Sequence, residues 1–413
     1  MAIAMASEQQ DRKHYTEVLS KARQLKGVSL GQDAFRRLRK SWSAMTALGL
    51  LTCIAALACL TPLIPLQSPI EQHLQDQPES NGQPAQKGRQ FQPPNLSPVQ
   101  LHLEEDLENF ERKIQQLRTA KSHASTTEQD ILHQHLREAY LHNDPIRSLW
   151  HEPNGLDRAL TCARVSLFGD WCIPSICGTD HLGRDLLARL FWGARISLMV
   201  GVVAALVSLF IGVSYGATAG YMGGRVDNLM MRVVDVLYSI PFIFVVIFLV
   251  TILSEDSIKK ELEFLGLDQV MIFYIVIGAI YWLTMARVVR GQVISLKQEL
   301  FVEAARTIGA SQTRIIFVHL VPNVLSVVIV YLTLTIPAVM LFEAFLSFLG
   351  LGVSPPDVSW GLLANEGVKV ITPIKIFWWL VLFPGLALAT TLFALNFLGD
   401  GLRDALDPKM KNR

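Results

Sequence analysis

The sequence predicts an all-α protein that crosses a membrane several times, and three observations carry that prediction. Of the 413 residues, 51% are hydrophobic and only 18% are charged. The apolar residues gather in six runs, 41–70, 196–220, 236–254, 269–286, 320–342 and 376–399, none of which contains Asp, Glu, Lys or Arg. Each run reaches the ~18–20 residues a helix needs to cross a bilayer, so six transmembrane helices are expected. The third observation is an uneven spread of Lys and Arg over the connections. Near-neutral charge (+1) with this apolar content argues against a nucleic-acid binder and against a disordered chain.

That spread orients the chain. The N-terminal tail carries nine cations between Arg12 and Lys40, and an even number of spans puts both termini on one side. Loops on the same side hold Arg225, Arg232, Arg287, Arg290, Lys297, Arg306 and Arg314, and the last tail adds Arg403, Lys409, Lys411 and Arg413. The opposite loops offer Lys259, Lys260, Lys369 and Lys375. Both termini are therefore expected in the cytoplasm. The first run follows about 40 tail residues without a convincing cleavage site, which predicts a retained anchor.

Taken in order, residues 1–40 form a cytoplasmic tail. Its end, Ser29 to Lys40, sets Phe35 and Leu38 beside a cluster of cations, the pattern of an amphipathic helix in the interface with Trp42 at headgroup level. Ordinary positive flanking charge explains the same residues. Transmembrane helix 1 occupies 41–66, and an external insert follows over 67–177. Residues 75–98, rich in Gln, Pro, Asn, Ser and Gly, read as a flexible linker. Leu103, Leu107, Phe110, Ile114 and Leu117 then recur at helical spacing. Thr126 and Gln129 could cap a second helix with Leu132, Leu136 and Tyr140, predicting a helical hairpin. His133 and His135 stand two apart and would not share a helix face, so no metal site is assigned. Among Cys162, Cys172 and Cys177, the nearest pair, Cys172 and Cys177, is the candidate disulfide if the exterior is oxidising. Cys53 and Cys59 fall inside the first span.

The remaining core, 178–402, opens on Gly178-Thr179-Asp180-His181-Leu182-Gly183-Arg184-Asp185. Asp180 with Arg184, and Asp185 with Arg189, are four apart, the spacing of helix-surface ion pairs. Standing where the chain meets the membrane, Asp180, Arg184 and Asp185 are candidates for a translocation path or external gate. Ser208, Gly212, Gly216 and Gly220 recur every four residues in the second span and predict a face for close helix packing. Pro241 should kink the third span. Glu343, near the outer end of the fifth, is expected either to line a cavity on the path or to reach headgroup water; the cavity is preferred. A tail, 403–413, closes the chain.

One polar stretch stands out between two apolar runs. Glu303-Ala304-Ala305 favours helix, Gly309 reads as a C-cap or bend, and Pro322 suits the first turn of the next helix. The stretch predicts helix, break, second helix and return to the membrane on the cytoplasmic side, within a loop at 290–322. No Gly-x-x-x-x-Gly-Lys-Ser/Thr phosphate loop occurs in the sequence, and neither does His-Glu-x-x-His or Gly-x-Ser-x-Gly. No catalytic residue is assigned, and the sequence shows no means of hydrolysing nucleotide by itself.

Glu303-Ala304-Ala305 with Gly309 and, after a fixed gap, Pro322 resembles the EAA loop of permease subunits in binding-protein-dependent ABC importers. His319 and Val321 depart from the general pattern, which has Ile and Leu there. His319 with Pro322-Asn323, Gly178-Thr179-Asp180, Leu346-Ser347-Phe348-Leu349-Gly350-Leu351-Gly352, Ser359-Trp360-Gly361 and Gly399-Asp400-Gly401-Leu402-Arg403-Asp404 are similar to the peptide and nickel branch. Together they resemble its C-type oligopeptide or dipeptide permease over 29–66 and 178–410. The resemblance implies an EAA helix, with Glu303, Ala304, Ala305, Gly309 and Pro322, seated in a cytoplasmic ATPase. It further implies a transport subunit that is not itself an enzyme, a second homologous permease, two ABC ATPases that use the ATP, and an external peptide-binding protein. No cofactor is implied in this chain, and a bacterial inner membrane is implied as its site. The rivals are an importer of nickel or another small solute, a secondary transporter, and a membrane-anchored receptor or scaffold working through the insert. The second of these predicts internal repeats and intramembrane relays that the sequence lacks.

Overall fold

The computed structural model describes residues 30–72, 88–97, 155–253, 269–353 and 357–406, with short pieces at 74, 99–100, 109–110, 112–117, 119, 255 and 258. Helix α1 (Leu30–Lys40) leads into α2 (Trp42–Cys59), whose first turn is capped by Ser41 accepting from the Ala44 N–H. Helix α3 (Gly155–Phe168) lies in the insert, where β1 (Val99–Gln100) pairs antiparallel with β2 (Trp171–Cys172). The long α4 (Leu186–Met222) starts on an Asp185 N-cap and stops at Gly223, where φ is +66°. Its 37 residues span about 55 Å at 1.5 Å each. Then come α5 (Gly224–Ser239), α6 (Phe242–Leu253), α7 (Gln269–Leu296), α8 (Leu300–Thr307), α9 (Gln312–Phe348), α10 (Trp360–Lys369) and α11 (Trp379–Leu406).

Among the described residues, four helices are each long and apolar enough to cross a membrane: α2, α4, α9 and α11. Pro241 does more than kink the third predicted span. It separates α5 from α6 at a bend of 82°, and this broken pair is a fifth crossing if it acts as one. The remaining predicted run, 269–286, forms the first 18 residues of α7. The chain is thus an all-α, multi-pass membrane protein.

The glycine stripe of α4 lies on α7. A Cβ at Gly212 would sit 2.6 Å from the Met285 Cβ, and one at Gly220 would sit 2.8 Å from the Arg290 carbonyl oxygen. Larger residues at Gly212, Gly216 and Gly220 would push the two backbones apart. Below this contact Val213, Met285, Val289 and Val293 join Val302 and Ala305 of α8 and Ile315, Ile316 and Leu320 of α9 in one core. A second core gathers α2, α4, α10 and α11 around Trp360, Leu363, Trp379 and Leu380.

Three expectations change. Leu38 of α1 does not face lipid: with Ala34 it packs on Ala44 and Ala405, while Phe35 and Trp42 stay exposed. Residues 88–97, read as loose linker, are stitched down. The Phe91 N–H donates to the Asp180 carbonyl at 3.0 Å, the Asn95 N–H donates to the Ser175 carbonyl at 3.1 Å, and Phe91 stacks on Phe377. Of the predicted hairpin, residues 112–117 are helical, with Phe110 and Ile114 buried. Leu103, Leu107, the second helix and both histidines lie outside the described residues. The third change is Cys172–Cys177: both thiols are free and buried. Cys172 donates to the Val99 carbonyl across the β1–β2 pair, whereas Cys177 is packed into the core beside Trp379. Burial pushes the two thiols up to about 11 and about 12, leaving little thiolate to react at neutral pH.

Candidate functional site

The Glu303–Pro322 stretch forms a helix, a tight reversal and a helix. Leu300–Thr307 is amphipathic: Val302 and Ala305 are buried, while Glu303 and Ala304 face outward with Leu300 and Ile308. Leu300 is 80% and Ile308 86% exposed, unusual for large aliphatic residues at the end of a core-packed helix. Gly309 ends the helix with φ +87°. The Ala310 N–H donates to the Ala305 carbonyl and the Gly309 N–H to the Arg306 carbonyl, the paired bonds of a Schellman cap. A side chain at Gly309 would meet no neighbour, so backbone conformation alone favours glycine.

Ser311 then opens α9 by accepting from the Arg314 N–H. Pro322 does not begin a helix, as the sequence suggested. It sits inside continuous α9, immediately after a π-helical stretch, Ile315–Leu320. The Val321 N–H reaches back five residues to the Ile316 carbonyl, a widened turn just ahead of the missing Pro322 N–H. Helix α8 is tied to the spans through Val302, Ala305, Ile315 and Leu320, and Arg306 lies over the Tyr221 ring at 5.2 Å. A push on α8 would therefore be felt by α4, α7 and α9.

The other end holds the remaining candidates. Asp180 and Arg184 meet, but in a loop knot instead of on a helix surface. Asp180 Oδ1 accepts from the Leu182 and Arg184 N–H groups, and Oδ2 accepts from Arg184 Nε at 2.7 Å and Arg189 Nη1 at 2.6 Å. Glu366 of α10 completes the ring, accepting from Arg189 Nη2 at 3.2 Å and from Arg184. Burial pushes the Asp180 carboxyl up, but the Arg189 and Arg184 guanidiniums outweigh it and hold it below the usual carboxylate range. Asp185 does not pair with Arg189. It caps α4 by accepting from the Ala188 N–H at 2.7 Å, and burial pushes its carboxyl up to about 7. None of the three candidates is open to solvent in this chain.

Glu343, near the outer end of α9, does not reach headgroup water. It is fully buried and accepts from Ser347 Oγ at 2.7 Å. The cause is α10, an element the sequence reading did not assign, which folds back over α9. Gly361 lets it do so, since a Cβ there would lie 2.5 Å from the Ala344 Cα. The Trp360 N–H donates to Ser197 Oγ, Ser359 Oγ caps α10, and Asn365 donates to the Ser347 carbonyl. Ser197, Asn365 and Glu366 were not singled out from the sequence, Arg189 was assigned to Asp185 instead of Asp180, and Ser347 and Ser359 stood only as members of motifs. Glu366, a lone acid in a stretch of small and apolar residues, was the legible signal.

Comparison with known proteins covers both halves of the chain. Residues 212–412 match the family model described as binding-protein-dependent transport system inner membrane component. Residues 29–94 match the N-terminal TM domain of oligopeptide transport permease C. The dipeptide transport system permease protein DppC of Bacillus subtilis is 47% identical over 57% of this chain and 68% of its own length. The oligopeptide transport system permease protein OppC of Haemophilus influenzae is 49% identical over 56% and 70%, and that of Escherichia coli 50% identical over 56% and 72%.

Proposed function

The chain belongs to the family of binding-protein-dependent transport system inner membrane components, and from that premise we propose that it is the C-type permease of an ATP-driven peptide importer. The observation that carries this reading is the shape of the Glu303–Pro322 stretch. An amphipathic helix, capped by a glycine reversal, presents Leu300, Glu303, Ala304 and Ile308 outward while its other face is rooted in three spans. An exposed apolar and acidic surface on a rigid lever suits docking into a partner. The sequence has no phosphate loop, so the partner we assign is one of two cytoplasmic ATPases, the subunits that use ATP.

On this reading ATP-driven closure of the ATPases moves α8, and α4, α7 and α9 follow as a packed block. A second, homologous permease supplies the mating helix, and peptide delivered by an external binding protein passes between the two. The chain then lies in a bacterial inner membrane with both termini in the cytoplasm, the 290–322 loop inside and the 67–177 insert outside. The insert serves as a platform at the pore mouth; unchanged uptake at low substrate after deleting 75–145 would remove that role. Relatives named for dipeptides and oligopeptides favour peptide over nickel as the cargo.

Glu303→Lys tests the coupling assignment. Membrane insertion should be normal, while uptake and ATPase co-purification are lost. ATPase association that survives both Glu303→Lys and Gly309→Pro would overturn it.

A further inference from the structure

Helix α1 divides cleanly into two faces. Ala34 and Leu38 are buried against Ala44, Leu402, Ala405 and Leu406, and Gly401 of α11 has no room for a side chain beside Ala44. Phe35, Arg36, Arg39 and Lys40 are exposed. At 3.6 residues per turn these four fall within an arc of about 140°, opposite the buried pair. Phe35 is 60% exposed, and Trp42, just past the end of α1, is 84% exposed. A face that joins two large aromatic rings to three cations suits a partner that is apolar and anionic at once.

The depth of that face follows from α2. Its 18 residues span about 27 Å, less than the ~30 Å hydrocarbon core, and Trp42 is the first of them. A span so short crosses with both ends at the interface, which sets Trp42 at headgroup level. Ser41 takes an extended backbone between the two helices, and its N–H donates to the Leu38 carbonyl at 3.0 Å. Helix α1 therefore starts one residue from the membrane surface, and α11 holds it there through Leu38.

Charge then selects the occupant. Helix α1 carries Arg36, Arg37, Arg39 and Lys40 against one acid, Asp33, which stands four residues before Arg37. The end of α11 on which α1 packs adds Asp400, Arg403 and Asp404, all exposed. The patch thus has five cations against three acids, a net of +2. Basic residues held beside a membrane are drawn to anionic headgroups, about fivefold in affinity for each one. An acidic protein would have to enter the headgroup layer to reach this face, whereas phospholipid is already there.

We propose that α1 is a binding site for anionic phospholipid. The Arg36 and Arg39 guanidiniums and the Lys40 ammonium hold headgroup phosphates, while Phe35 and Trp42 rest among the upper acyl carbons. Because Ala34 and Leu38 grip the end of α11, a lipid bound here steadies a membrane-crossing helix of the core. The site requires α2 to cross the membrane and takes nothing from the cargo or the ATPase.

The test places the complete transporter in nanodiscs of phosphatidylcholine mixed equally with phosphatidylglycerol. A photoreactive phenylalanine at position 35 should cross-link phosphatidylglycerol over phosphatidylcholine by ~10-fold or more. The same probe at Phe393, an exposed residue midway along α11, should show no such preference. Arg36→Gln, Arg39→Gln and Lys40→Gln together should bring position 35 to parity with an unchanged melting curve, since all three side chains are exposed. Arg36→Lys with Arg39→Lys should keep the preference, and added salt should lower it. Equal cross-linking of the two lipids by the wild type, cross-links to protein in place of lipid, or a preference that survives the triple change would overturn the site. None of these readouts uses peptide uptake, so each leaves the importer reading standing.

Discussion

The two ends of the molecule are built on opposite principles. At the Gly178–Asp185 end, Asp180, Arg184, Arg189 and Glu366 form a buried ring whose members bond one another across a loop, α4 and α10. At the Glu303–Pro322 end, Glu303, Ala304, Leu300 and Ile308 point outward, and only Val302 and Ala305 hold α8 down. The first end fixes geometry by leaving its charges no alternative partners. The second leaves its surface unsatisfied, as a part meant to meet another protein would be. Changes at the ring should therefore be read out in folding, and changes at the loop in association.

The sharpest way to break that contrast is Glu366→Gln. It leaves two guanidiniums to share one carboxylate in a buried site, where losing a charge partner costs about 3–5 kcal/mol. We expect a lower unfolding temperature in detergent and poor membrane accumulation; an unchanged melting curve would show that the ring is not structural. Glu303→Lys is the counterpart, with the melting curve within the usual ±0.5 kcal/mol of a surface change and ATPase co-purification lost.

Gly309→Ala comes next. It forces a Cβ into positive φ at a cost of about 1 kcal/mol, with no steric clash added. Weakened ATPase binding with a small drop in stability is expected, whereas equal binding would show that the reversal tolerates strain.

Asp185 gives a subtler test by pH. Its folded carboxyl is raised to about 7 by burial, so the native state holds its proton where the unfolded chain has lost it. That contribution to stability is full below the ordinary carboxylate range and is lost as pH rises through about 7. Asp185→Asn keeps a cap for the Ala188 N–H and should flatten the fall in melting temperature between pH 5 and about 8. The smallest effect should come from Asp157→Asn, which breaks the partly open Arg195 pair at 3.0 Å and costs under about 1 kcal/mol.

Much of this was legible in the residues because the signals are local. Six apolar runs gave the helical class, the four-residue glycine spacing pointed to a close helix face, and Gly309 marked a reversal through its own φ. Pro241 signalled a disturbance but not an 82° turn, because the angle is set by what α6 packs on. Pro322 looked like a helix start, and only the π-helical turn before it shows how one helix runs through. Asp185 and Arg189 had ion-pair spacing, yet Arg189 turns to Asp180 and Glu366, the latter 177 residues away.

By itself, then, the sequence determined which stretches prefer a membrane, which side their charges favour, and that one polar loop carries a lever-like helix. Those follow from transfer free energy and backbone preference, properties each residue carries alone. Only the tertiary structure decided that Glu343 is sealed by α10 and that Asp180 closes a four-member ring. Each depends on which distant groups arrive within about 3 Å of one another, a distance at which hydrogen bonds form, and no local pattern encodes that meeting.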